Sequence, residues 1–216
     1  MSLDFSAREL ALLGLSLAGA AGYGALLRYP PSALRSLAKT AAIGALAALS
    51  AVEGGPWLLT LGLVLSALGD LALSRDGDRA FMAGLVAFLL AHLAFIPLLL
   101  GVAEAPGARW ALLSLVALAA GAAALRALWP ALGEMRGPVL VYGAALLAMA
   151  LSGFAAPDRL WPLPLGAALF LASDAVLALD RFLWRGGRRF AADFVWGSYY
   201  AAMAMIAGGF LCPHFA

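Results

Sequence analysis

The chain has 216 residues, of which 64% are hydrophobic and only 12% charged, and its formal net charge is +2. A soluble globular domain holds roughly 45–50% apolar and 25% charged residues, so this composition excludes that class. With one cysteine and two histidines (His92 and His214) there is no internal disulfide, thiolate cluster or histidine zinc site to build. No cofactor is expected.

Apolar runs of roughly bilayer-spanning length, about 17–25 residues for a helix, recur along the whole chain. Eight are expected: Leu10–Leu27, Leu37–Val52, Trp57–Leu73, Phe81–Gly101, Trp110–Trp129, Pro138–Phe154, Trp161–Leu179 and Phe194–Leu211. Leu, Ala and Gly dominate them, so they read as helices, not as the alternating strands of a barrel. The fold class is therefore an all-α membrane protein, an eight-transmembrane-helix bundle forming one domain over residues 1–216. The first run is too long for a signal-peptide core, and Asp4 and Glu9 spoil its basic flank, so it reads as a retained span.

In the second span Lys39, the chain's one lysine, either snorkels to the interface or pairs with an acid across a cavity. The third span carries Asp70. Asp76 and Asp78 follow it as solvated loop acids. In the fourth, Phe81, Gly84, Phe88, His92 and Phe95 share one helical face. Gly84 admits a close helix neighbour, and His92 is either a hydrogen-bonded packing residue or a site residue. The seventh span carries Ser173 and Asp174 and ends at Asp180. The longest loop, Asp180–Asp193, holds Arg185, Arg188 and Arg189, which anchor topology or meet phospholipid head groups. In the eighth span Asp193, Trp196, Tyr200 and Met203 share a face, and Tyr199 and Tyr200 lie deep enough that their hydroxyls need internal partners.

An ionised side chain near a helix centre in hydrocarbon costs roughly 2.5–3.5 kcal/mol or more, so an intramembrane acid marks a functional site by default. Asp70 and Asp174 sit in matching contexts, each after a small residue and six residues before a second Asp. Their spans run in the same direction, and both acids lie roughly 5–8 Å inside the same boundary. They are expected to meet in one cavity, and the echo hints at a four-plus-four duplication. Eleven of the fourteen basic residues fall on the loops after spans one, three, five and seven. That asymmetry puts those loops in the cytoplasm and both termini on the non-cytoplasmic side. The basic excess then faces the inner leaflet, and no nucleic-acid partner is expected.

Gly69-Asp70-Leu71, then Phe81, Gly84, Phe88 and His92, then Ser173-Asp174 with Asp180-Arg181-Phe182, then Tyr199-Tyr200-Ala201-Ala202, together resemble the YhhN family. The resemblance runs from about Lys39 to the end of the eighth span. The chain departs from the family pattern at Thr40, Phe95 and Met203, where proline, tyrosine and glutamine are usual. The resemblance implies an eight-span membrane hydrolase of the lysoplasmalogenase type, taking a lysophospholipid substrate from the bilayer. Vinyl ether hydrolysis needs a proton delivered to carbon and an oxocarbenium-like cation stabilised. Two carboxyls in different protonation states suit those steps, as in glycoside hydrolysis. Asp70 and Asp174 are the candidate catalytic pair. His92, Lys39, Tyr199, Tyr200, Asp180 and Ser173 are candidate supporting residues. The expected location is a bacterial inner membrane, with the active site toward the cytoplasm. The alternative is a small proton-coupled transporter using the same acids as a relay.

Overall fold

The computed structural model describes residues 6–184 and 188–212, apart from the side chain of Arg189. Asp4, Arg185 and His214, named above, lie outside the described residues. The described chain is helical: α1 (Ala7–Leu26), α2 (Ala33–Val52), α3 (Trp57–Leu73), α4 (Asp78–Leu100), α5 (Ala108–Leu128), α6 (Arg136–Phe154), α7 (Pro162–Leu179) and α8 (Arg189–Leu211). Seven are long and apolar enough to cross a membrane, and α3 is a shorter apolar helix. The helix starts differ from the expected spans by a few residues, because hydropathy marks where apolar side chains begin and not where backbone hydrogen bonding begins.

The segment Asp180–Asp193 departs most from expectation. Only part of it is loop. The chain leaves α7 through a π-helical turn, Asp180–Trp184, and α8 is already formed by Arg189. Arg188 lies over the Trp184 ring at 4.8 Å, and Phe190 packs on the same indole at 5.8 Å. These contacts sit outside the apolar window that located the eighth span.

The helices form two compact units, Met1–Ala94 and Phe95–Ala216. In the first, α2 packs on both α1 and α3. A Cβ at Gly19 would come within 2.9 Å of the Ala38 carbonyl oxygen and the Ala42 nitrogen, so only glycine lets α1 lie this close. Ser16 donates across the same contact to the Ala42 carbonyl (2.7 Å). The α2–α3 turn closes as a Schellman motif: Gly54 adopts φ +65°, and the Gly55 N–H reaches back to the Ser50 carbonyl at 2.8 Å. The Ser50 and Thr60 hydroxyls then tie the two helices together beside the turn (2.8 Å). In the second unit α6 packs on α5 and α7, and α7 on α8. Gly153 faces the Ala167 methyl across α6–α7, and Gly166 faces the Ala202 carbonyl across α7–α8.

Apolar side chains face outward as well as inward. Leu61, Val64 and Leu68 form an exposed stripe on α3, whereas Ser66 and Asp70 on the same helix are buried. Leu112, Leu115 and Leu118 are likewise exposed on α5, while Ser114 is buried. Large apolar patches of this kind face a non-aqueous solvent.

Candidate active site

In the first unit the candidate residues Lys39 and Asp70 lie on the α2–α3 hairpin. Lys39 lies thirteen residues before α2 ends at Val52, and Asp70 lies thirteen residues after α3 begins at Trp57. At 1.5 Å per residue both stand about 20 Å from the turn, so the hairpin sets them level. The Lys39 Nζ is 3.0 Å from the Asp70 Oδ1, with the two side chains 13% and 1% exposed. Of the two expectations for Lys39, pairing with an acid is the one realised. The ammonium also lies 5.5 Å from the Tyr23 ring centroid, so α1 supplies an aromatic face to the pair. Arg35 approaches the same ring at 5.4 Å.

On α4, Gly84 meets Leu73 of α3 closely: a Cβ there would fall 2.6 Å from that side chain. Phe88 lies on Gly69 in the same way, with ring atoms 2.7 Å from where a Cβ would stand. Gly84 and Phe88 of α4 therefore pack against α3 beside Asp70. His92, one turn beyond Phe88, is wholly buried.

In the second unit the candidate residue Asp174 lies on α7. Its Oδ2 accepts a hydrogen bond from the Tyr142 hydroxyl on α6. Sequence reasoning passed over Tyr142. A signal existed: Tyr142 lies twelve residues before α6 ends at Phe154, and Asp174 twelve residues after α7 begins at Pro162. Both are therefore about 18 Å from their turn. Ser173 donates to the Val195 carbonyl at 3.0 Å, joining α7 to α8. Tyr199 and Tyr200 belong to an aromatic cluster: Trp196 lies 5.9 Å from each ring, stacked on Tyr200, and Phe170 meets Tyr199 edge-on at 5.6 Å. Tyr199 is buried and Tyr200 half-buried. Asp180 opens the π-helical turn, beyond the α7 segment that carries Asp174.

A cavity of about 210 Å³ in the second unit is lined by the segment from Glu104 to Trp110 and by the α6–α7 turn, Phe154–Asp158. Two ion pairs clasp these segments, Arg109 with Asp158 and Arg159 with Glu104 (3.1 Å). It lies at the turn end of the α6–α7 hairpin, away from Asp174. Among the described residues no group of three or more His, Cys, Asp or Glu side chains is placed to hold a metal ion.

An all-helical integral membrane protein, with the Lys39–Asp70 pair and several hydroxyls turned inward and stripes of leucine turned outward, is the class these features define. The family model of the YhhN family matches residues 34–210, which takes in α3 to α7 and nearly all of α2 and α8. Two proteins named lysoplasmalogenase, from Mycobacterium bovis and Mycobacterium tuberculosis, are each 39% identical to the chain over 160 residues. The match covers 71% of this chain and 60% of the length of those relatives. No solved structure matches. The chain belongs to the YhhN family.

Proposed function

We propose that the protein is a membrane hydrolase that cleaves the vinyl ether bond of lysoplasmalogens with water, releasing a fatty aldehyde and a glycerophospho-alcohol. The mycobacterial relatives are named lysoplasmalogenase, and this reading follows that name. The observation that carries it to this chain is the Lys39–Asp70 pair. A carboxylate wholly removed from solvent, with its counter-charge held at 3.0 Å, sits between α2 and α3. A buried pair of this sort gives little net stability, so stability alone does not account for its presence.

In the proposed chemistry one carboxyl of Asp70 and Asp174 protonates the alkenyl carbon. The other is ionised and stabilises the resulting oxocarbenium ion. Water adds to the cation carbon, the added water returns a proton, and the hemiacetal collapses to aldehyde and alcohol. His92, Tyr199, Tyr200, Ser173 and Asp180 orient water or hold the glycerophosphate head. Apolar helix faces take the alkenyl chain. The chain crosses the membrane eight times as one bundle, with both termini on the non-cytoplasmic side of a bacterial inner membrane and the reaction on the cytoplasmic side. The short helix α3 fits this topology: seventeen residues span about 26 Å, and exposed Trp57 at its start suits the interface.

The test is aldehyde release from lysoplasmenyl-ethanolamine or lysoplasmenyl-choline by purified protein in detergent. Asp70→Asn and Asp174→Asn are each expected to lose most of the turnover while melting as folded proteins. Retained turnover in either variant removes that residue from the mechanism. Proton-coupled uptake into liposomes with no lipid cleavage would mark a carrier instead.

A further inference from the structure

Three helix ends gather at one end of the first unit. Tyr23 lies three residues before α1 ends at Leu26, Arg35 two residues after α2 begins at Ala33, and Asp70 three residues before α3 ends at Leu73. Arg35 and Lys39 are four residues apart, so they share one face of α2 with about 6 Å of rise between them. Both cations lie against the Tyr23 ring, 5.4 and 5.5 Å from its centroid. Lys39 is matched by the Asp70 carboxylate at 3.0 Å. Arg35 donates instead to the Tyr29 carbonyl at 2.9 Å, and no carboxylate among the described residues lies within ion-pair distance of it. Arg35, Lys39 and Asp70 together therefore hold a surplus positive charge. It rests on a half-buried guanidinium, one turn nearer the start of α2 than the buried pair.

We infer that Arg35 binds the phosphodiester of the substrate, and so makes the protein prefer a 1-alkenyl lysophospholipid to the same lipid without its phosphate. This rests on the hydrolase reading above. A guanidinium suits that anion: it is planar, always charged, and presents paired N–H donors that match two phosphate oxygens. The bond from Nη1 to the Tyr29 carbonyl ties the group to the α1–α2 connection, so little further order is lost when the anion binds. Lys39 neutralises Asp70, so the incoming anion meets no bare carboxylate there. Its charge also relieves the repulsion between two cations that share one ring. Three glycerol carbons separate the phosphodiester of a lysoplasmalogen from its vinyl ether oxygen. That reach is of the same order as the single helical turn from Arg35 to Lys39. A phosphate held by Arg35 therefore sets the vinyl ether at the depth of the Lys39–Asp70 pair, with the alkenyl chain running on into the apolar depth of the bilayer.

The test gives the full chain in detergent two substrates, lysoplasmenyl-ethanolamine and 1-alkenylglycerol, which has the same vinyl ether and no phosphate. Wild type is expected to show the higher kcat/KM for the phospholipid. Arg35→Gln should shrink that preference about 10- to 100-fold, because a charged hydrogen bond is lost. The change should appear in KM and not in kcat, since the phosphate is remote from the reacting atoms. Arg35→Lys keeps the charge without the fork and should lose less than about 10-fold of the preference. Should Arg35→Gln fail to melt cooperatively, Arg35→Lys carries the comparison. A second readout needs no turnover. A saturated 1-alkyl lysophospholipid, which has no alkenyl carbon to protonate, should raise the melting temperature of wild type and not of Arg35→Gln, and inorganic phosphate should raise neither. If wild type turns over and both variants keep its preference, this inference falls and the hydrolase reading stands. If both variants lose activity on the two substrates by one factor, Arg35 is merely structural and the inference is again overturned. Protection by inorganic phosphate alone, lost in Arg35→Gln, marks a site for the free ion and overturns the lipid assignment. Lipid protection that depends on Arg35, in a wild type that cleaves nothing, overturns the hydrolase reading and supports the phosphate contact.

Discussion

Replacing Lys39 by methionine removes the ammonium 3.0 Å from Asp70 and keeps most of the side-chain volume. At that separation and an effective dielectric constant of about 20, the attraction lost is roughly 5–6 kcal/mol. Desolvation of the two ions offsets much of this in the intact pair, so the pair as a whole is near neutral. A carboxylate that has lost its ammonium keeps its desolvation penalty, and the expected loss is about 3–5 kcal/mol. For a chain of this length each kcal/mol moves the melting temperature by roughly 2–4 °C, so Lys39→Met should melt roughly 10 °C below wild type. The measurement is tryptophan-fluorescence melting in a single detergent. Adding Asp70→Leu to the same chain removes the stranded charge and should restore most of the loss. If Lys39→Met melts within about 2 °C of wild type, or if the double variant is worse than the single one, the pair is not electrostatically coupled as described.

Gly19→Ala should cost about 1–3 kcal/mol, because the new methyl meets the α2 backbone. Gly14→Ala, with nothing within 4 Å of its Cβ, should be neutral or gain up to about 1 kcal/mol of helix propensity. Both are read from the same melting curves, and equal losses would deny the close α1–α2 contact. Asp158→Asn breaks an ion pair whose acid is 94% exposed and should change stability by less than about 1 kcal/mol, a difference within the scatter of replicate melts. Gly69→Ala drives a methyl into the Phe88 ring and, one residue from Asp70, should depress aldehyde release.

The helices themselves were legible because the expected solvent is lipid: a long apolar run has one reading there, and each of the eight runs coincides with a helix. The ends were less so. The charges at Arg189 and Asp193 kept this stretch out of the expected span, yet its backbone completes the first turns of α8. Asp70 and Asp174 stood out because a charge in an apolar run is costly. The pairing of Lys39 with Asp70 was open from the sequence, although a count of residues from the α2–α3 turn in each direction would have settled it. Tyr142 was missed for a different reason. Tyrosine is tolerated in apolar helices, so its hydroxyl carries no compositional alarm. Only its depth, equal to that of Asp174 measured from the α6–α7 turn, singles it out. Tyr23 was hidden likewise, since nothing in the spacing of α1 ties it to an ammonium on the next helix.

The order in which α1, α2 and α3 pack bears on how the chain enters a bilayer during synthesis. Each of the three touches its immediate sequence neighbour. Lys39 therefore leaves the ribosome ahead of its acid, and until α3 arrives the ammonium can wait at the head-group level on its flexible stem. Arrival of α3 lets the two charges descend together as a neutral couple, against an aromatic ring already supplied by α1. Insertion of this half is then a zippering of hairpins, and a translational pause between α2 and α3 would leave its most polar helix exposed to the quality-control machinery.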